Sequence, residues 1–200
     1  MEIGVYASNC YIIYDEGSKE GIVVDPGGNP RQILENIQEN EISVKYIVLT
    51  HGHGDHIGGV RELKEALNLH LIAHEAEEEL IGDASQNISH MMVTGAIELD
   101  TDITVKDGDT IDFGNLSARV IHTPGHTKGG MCLHIGDYLI SGDTLFKESI
   151  GRSDLPGGDH GILIKSIKDK LLVLDEDTIV LPGHGDATSI RHEKMFNTFL

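Results

Sequence analysis

The segment Thr50-His51-Gly52-His53-Gly54-Asp55-His56 directly follows the apolar run Tyr46-Ile47-Val48-Leu49. Four metal-competent side chains within six residues, at the mouth of what reads as a buried strand, leave few folds open to the chain. Glycines alternate with His51 and His53, so the backbone can turn tightly and aim both imidazoles at one centre. Asp55 and His56 then offer a carboxylate and a third imidazole to a second centre. Such a loop is a poor element of a core and a good holder of divalent metal.

Two ions that share a water need more protein ligands than one loop supplies. The remaining candidates are His126, Asp143 and His184. Each lies in a glycine-marked turn at the end of an apolar run: Ala118 to Ile121 before Thr123-Pro124-Gly125-His126, Tyr138 to Ile140 before Ser141-Gly142-Asp143, and Thr178 to Leu181 before Pro182-Gly183-His184. Strands that end at one edge and present ligands to a common site give this pattern.

In this order, Thr-His-x-His-x-Asp-His (50–56), Thr-Pro-Gly-His-Thr (123–127), Ser-Gly-Asp-Thr-Leu-Phe (141–146) and Pro-Gly-His-Gly (182–185) resemble the metallo-β-lactamase superfamily. The resemblance runs from about Asn9-Cys10-Tyr11 to the C-terminus. It implies an α/β fold, an αββα sandwich of two mixed β-sheets with helices on the outer faces. It further implies that one divalent ion takes His51, His53 and His126, that a second takes Asp55, His56 and His184, and that Asp143 bridges them. The donor set suits zinc foremost, with iron or manganese also admitted. Two close ions lower the pKa of a shared water and polarise the carbonyl that it attacks. Asp143 and Asp55 are then the catalytic carboxylates, the first holding the ions together and the second orienting the hydroxide.

Within the superfamily, Gly142-Asp143-Thr144-Leu145-Phe146 followed by Gly151-Arg152-Ser153-Asp154-Leu155-Pro156-Gly157-Gly158-Asp159 is most similar to the glyoxalase II (hydroxyacylglutathione hydrolase) group. That likeness implies hydrolysis of a small-molecule thioester such as a lactoyl thiol conjugate. A thiolate can leave without a dedicated general acid, which fits a site with no obvious extra acid. Arg152 stands where these enzymes carry a basic residue that contacts the carboxylate end of the thiol carrier; a salt bridge to Asp154 or Asp159 is the competing reading. True β-lactamases of the family often replace the bridging aspartate, so Asp143 argues against that activity. Longer glyoxalase II enzymes add a C-terminal helical domain, whereas only 16 residues follow His184 here. The chain therefore resembles the shorter, single-domain relatives, and another low-molecular-weight thiol can replace glutathione. Competing activities are a persulfide dioxygenase with one iron, a lactonase of the same superfamily, and a metal-dependent binding module without turnover.

Fifteen basic against 33 acidic residues give a net charge of −18, which argues against nucleic acid as substrate. Much of the excess is expected on solvated helix faces such as Glu75-Ala76-Glu77-Glu78-Glu79. Cys10 and Cys132 lie far apart among apolar residues and read as buried free thiols, which suits a reducing cytosol. With no secretory signal and no apolar run of membrane-spanning length, the expected location is cytoplasmic, with no membrane partner.

Hydrophobic spacing predicts strands near 9–14, 20–25, 44–49, 69–73, 103–105, 110–113, 116–122, 131–135, 138–141 and 178–181. Helices are predicted from Pro30, over about 59–67, over 75–80 and over about 160–174. The stretch 82–95, with weak periodicity and the pair Met91-Met92, reads as a mobile loop over the site. His122 reads as a strand-end packing residue, and His70, His74, His90, His134, His160 and His192 as surface or packing residues. No Pro- or Ser-rich linker interrupts the chain, so residues 1–200 are expected to form a single domain.

Overall fold

The computed structural model describes residues 1–200. The chain begins with a short ribbon of β1 (Glu2–Ile3) and β2 (Ser8–Asn9), followed by β3 (Tyr11–Tyr14), β4 (Glu20–Val24), α1 (Pro30–Glu39), β5 (Ser43–Val48), α2 (Gly54–Ile57), α3 (Val60–Leu67), β6 (His70–His74), α4 (Glu78–Ile81) and β7 (Ile103–Val105). It continues through β8 (Thr110–Phe113), β9 (Leu116–His122), β10 (Met131–Ile135), β11 (Tyr138–Gly142), a ribbon of β12 (Leu145–Phe146) and β13 (Ser149–Ile150), then α5 (His160–Ser166), β14 (Ile179–Pro182), β15 (Thr188–Ser189) and α6 (Ile190–Phe196). Two main sheets result, with strand orders β3-β4-β5-β6-β7 and β15-β14-β11-β10-β9-β8. Both are mixed: β4 to β7 run parallel with β3 antiparallel, and β8 to β11 are antiparallel with β14 parallel to β11.

The two-residue period of a strand sorts the apolar side chains into three layers. In the first sheet Val23, Ile47, Leu71 and Ala73 point outward and pack with Ile33 and Ile37 of α1 and Val60 and Leu63 of α3. Their neighbours Ile22, Val24, Val48 and Ile72 point inward against Phe113, Ala118, Val120, Met131 and Leu133 of the second sheet. On the far face Ile121, Cys132, Leu139 and Val180 meet Leu163 of α5, Ile167, Leu171 and Ile190. Helix–sheet, sheet–sheet and sheet–helix layers make the αββα sandwich expected from the sequence. Central parallel strands such as β4 are apolar at successive positions because both of their faces are covered. No helix is long and apolar enough to cross a membrane.

Several boundaries differ from the sequence-based expectation. The strand placed near 9–14 breaks at Cys10, where β2 leaves the β1 ribbon and β3 joins the first sheet. Pro30 does open α1, preceded by Asn29 in a left-handed conformation (φ 46°). The helix over 160–174 begins as α5, capped by Asp159 accepting from the Ile162 N–H at 2.9 Å, and widens into a π-type turn over Ile167–Leu171. The acidic run 75–79 is not wholly solvated: Glu77 is buried. Segment 82–95 is tied down at its base, because buried Asn87 donates to the carbonyls of Ile81 and Ile97 and its Oδ1 accepts from the Ser89 N–H. Its tip stays exposed over His90, Met91 and 93–95, as do Gly82 and Ser85.

Candidate metal centre

All the loops singled out by the motifs meet at one place. The loop after β5 carries His51 and His53, and α2 carries Asp55 and His56. The turn after β9 carries His126, the end of β11 delivers Asp143, and the turn after β14 delivers His184. His51, His53 and His126 form one buried group whose rings lie edge to face, with centroids 4.6–4.9 Å apart. The closest approach is 2.9 Å, between His53 Nδ1 and His126 Nε2. Asp55, His56 and His184 form a second group: His184 Nε2 lies 3.2 Å from Asp55 Oδ2 and 3.3 Å from His56 Nε2. Asp143 sits between the groups, with Oδ1 3.5 Å from His56 Nε2 and Oδ2 3.7 Å from both His126 Nε2 and His184 Nε2.

The second ring nitrogens are held from outside. His126 Nδ1–H donates to the Arg152 carbonyl at 2.7 Å, and His184 Nδ1–H donates to the Ala7 carbonyl at 3.2 Å. A carbonyl only accepts, so Nδ1 is the protonated nitrogen of each ring: His126 Nε2 keeps a lone pair aimed inward, while His184 Nε2 faces Asp55 and shares a proton with it. His56 Nδ1 lies 3.1 Å from Asp25 Oδ2, and His51 Nδ1 lies 3.2 Å from Thr50 Oγ1. Asp25 in turn accepts from the Thr50 backbone N–H (2.7 Å) and the Thr50 hydroxyl (2.6 Å). It ends β4 with φ 50°, an unusual backbone for a residue other than glycine, which turns its side chain under the histidine loop.

Burial and charge divide the centre. Burial holds the His51 ring well below its ordinary pKa, and burial with neighbouring histidines brings His53 down to about 3. Burial also opposes charge on His56, but the carboxylates of Asp143, Asp25 and Asp55 outweigh it and raise this ring to about 10. Burial would push Asp55 up; the hydrogen bond from His184 and the charge of His56 instead hold it below the usual carboxylate range. His51 Nε2, His53 Nε2 and Asp143 Oδ1 are buried polar atoms with no hydrogen-bond partner. Such orphans are rare in folded proteins and call for an explanation such as an ion. Three lone-pair donors around one point and a carboxylate facing two groups fit divalent cations, and protons now shared within the second group would be released on binding.

The structure thus brings together His51, His53, Asp55, His56, His126, Asp143 and His184. Arg152 lies apart from them at the surface, pairing through Nε and Nη2 with the two carboxylate oxygens of Asp154 at 2.8 Å each. Its backbone carbonyl, not its side chain, touches the centre. His122 joins neither group: Nε2–H donates to the Lys128 carbonyl at 2.9 Å, and the ring stacks on His74 at 3.9 Å. Asp25, Thr50 and Glu77 were missed by the sequence reading. Asp25 had a visible signal in its place at the end of an apolar strand before Pro26-Gly27-Gly28, but nothing local tied it to residue 56.

Two sheets carrying histidine and aspartate on the loops at a shared edge define a known class. The sequence pattern of the Metallo-beta-lactamase superfamily matches residues 3–184, and the chain belongs to that superfamily. Among curated relatives, the hydroxyacylglutathione hydrolase GloC of Haemophilus influenzae is 31% identical, covering 100% of this chain and 96% of its own length. Among solved structures, the B3 metallo-beta-lactamase BLEG-1 is 34% identical with a TM-score of 0.94, covering 100% of this chain and 97% of its own. TTHA1623, solved in a di-iron-bound form, is 33% identical with a TM-score of 0.89, covering 100% and 98%.

Proposed function

We propose that the protein is a dinuclear-metal hydrolase that cleaves a thioester, such as a hydroxyacyl conjugate of a low-molecular-weight thiol. The observation that carries this reading is the convergence of seven metal-competent side chains, three of which hold buried atoms that lack partners. His51, His53 and His126 would hold one ion, Asp55, His56 and His184 the other, with Asp143 shared. Two ions held there would supply a hydroxide near neutral pH and polarise the carbonyl under attack. Asp55 meets His184 through Oδ2, and its other carboxylate oxygen would accept a hydrogen bond from the attacking water. The carbonyls of Arg152 and Ala7 and the carboxylate of Asp25 keep the imidazoles in one tautomer throughout. None of these groups is a spare acid, which favours a leaving group that departs as an anion, as a thiolate does.

The likeness to GloC over the full chain supports the thioester substrate, and the di-iron neighbour supports two ions and admits iron beside zinc. A second reading, β-lactam hydrolysis, rests on the likeness to BLEG-1. The decisive experiment is elemental analysis of the purified protein followed by rate measurements on lactoyl thioesters, β-lactams and lactones. About two ions per chain with thioester turnover above the other classes supports the proposal. One iron per chain with oxygen uptake on a persulfide would replace hydrolysis with dioxygenation. Preferential β-lactam turnover would establish the second reading.

A further inference from the structure

Glu77 is a buried carboxylate in the turn between β6 and α4, 1% exposed and outside both ligand groups. Its Oε1 accepts from the Gly52 N–H at 2.9 Å. Its Oε2 accepts from the Gly129 N–H at 2.7 Å and from the Thr127 hydroxyl at 3.0 Å. Gly52 lies between His51 and His53, and Thr127 follows His126. One side chain therefore bridges the two loops that supply the three-histidine group. The approach is tight: a side chain at Gly129 would place its Cβ 2.6 Å from Glu77 Oε2 and 2.5 Å from the Glu77 backbone nitrogen. A Cβ at Gly52 would lie 2.6 Å from Ile81 and 2.7 Å from Leu80, in the α4 segment that follows Glu77.

The charge of Glu77 is unbalanced. No Lys, Arg or His pairs with it, and all three hydrogen-bond donors are neutral. Burying an anion without a cation is costly, and burial outweighs those donors to push this carboxyl up to about 7. No cationic side chain of the protein balances the anion. A divalent ion held by His51, His53 and His126 would.

We infer that Glu77 is a positioning residue for the three-histidine ion: it locks the His51–His53 loop to the His126 loop and supplies an anionic counter-charge behind them. The inference rests on the dinuclear reading above. Its geometry makes a selective prediction. The Asp55, His56 and His184 group is braced by Asp25 and Ala7 and makes no hydrogen bond to Glu77, so the second ion should not depend on it.

The test is stepwise cobalt titration of metal-free protein, followed by visible absorption and chelator competition, with His126→Ala and His184→Ala marking which step belongs to which ion. Glu77→Gln keeps the size but turns an amide N–H₂ toward one of the donors. It should weaken the three-histidine step by about tenfold to a hundredfold, the range for groups that orient ligands, and leave the other step within about twofold. Thr127→Val removes one of the three donors and keeps the charge; it should weaken the same step by a few fold. It carries the test alone if Glu77→Gln does not fold. Equal loss at both steps, or lowered thermal stability of the metal-free variant with both steps intact, would show a merely structural role and overturn the inference. Wild-type protein that binds fewer than two cobalt ions would instead overturn the dinuclear reading, and with it this inference.

Discussion

Asp25 and His56 meet at the bottom of the centre, with Oδ2 of the carboxylate 3.1 Å from Nδ1 of the ring and both side chains excluded from water. The same carboxylate holds the Thr50 backbone and hydroxyl, so it fixes both the start of the histidine loop and the tautomer of a ring six residues on. Asp25→Ala leaves the ring free to turn and strands the Thr50 N–H. The variant should lose the ion assigned to Asp55, His56 and His184 and about 3 kcal/mol of metal-free stability, as expected when one partner of a buried pair is removed. Metal analysis and urea unfolding check both parts. Two retained ions would show that Asp25 does not orient the ring.

Asp143 lies within 3.7 Å of a histidine of each group, and one of its oxygens is among the orphaned atoms. Asp143→Ala should lose at least one ion and nearly all activity while the circular dichroism spectrum stays that of the folded protein. Unchanged metal content would rule out a bridging role.

Arg152 and Asp154 are both largely exposed, so water and salt screen their bidentate pair and it adds little to stability. An exposed guanidinium whose backbone carbonyl touches the centre remains free to exchange Asp154 for a substrate carboxylate. Arg152→Ala should raise KM for a carboxylate-bearing thioester about tenfold or more, the worth of one charged hydrogen bond. KM for a neutral thioester and kcat for both should change little. An equal rise on both substrates would mean that the pair with Asp154 is the whole role of Arg152.

That the seven motif residues converge was legible in the sequence because each lies in a short run with a glycine and follows an apolar strand. The strands behind the apolar layers were legible for a related reason: the short apolar runs of β4, β5 and β9 are local. Asp25 and Glu77 were not, because their meaning lies in contacts with residues 50, 52, 56, 127 and 129. A lone acid in a turn and an acid inside an acidic run look alike whether solvated or buried. Glu193 makes the same point at the other end of the chain: it is fully buried, accepting from Thr188, Asn197 and the Glu148 N–H, and so ties α6 to the loops beside His184. The four-residue helix α2 was also missed, since one turn carries no periodicity to detect.

The histidines set opposite pH limits on the metal-free protein. His53 is brought down to about 3 from an unfolded value near 6.5, so below that value the unfolded chain binds more protons. Its contribution to stability is therefore lost as pH falls from about 6.5 toward 3. His56 is raised to about 10, so its contribution is complete below about 6.5 and is lost as pH rises toward 10. Urea midpoints of metal-free protein across this range should show His53→Asn flattening the acid side and His56→Asn flattening the alkaline side. Variants that shift both sides equally would contradict the division into a neutral and an ion-paired group.

Gly183 gives the most local test of the bridging position. Its Cβ, if present, would collide with Asp143 Oδ1 and lie 2.9 Å from His56 Cε1 and 3.0 Å from the Gly142 carbonyl carbon. The neighbours are backbone and buried ring atoms, so the side chain that can yield is Asp143. Gly183→Ala should therefore push the carboxylate from its place between the groups and lower metal content and activity together. Gly185 provides the control, since it has a left-handed backbone (φ 73°) but open space around a new Cβ. Gly185→Ala should cost about 1 kcal/mol of stability from backbone strain and keep both ions. Metal analysis and thermal unfolding of the pair separate displacement from strain. A Gly183→Ala protein with two ions and full activity would show that Asp143 is not needed where the fold puts it.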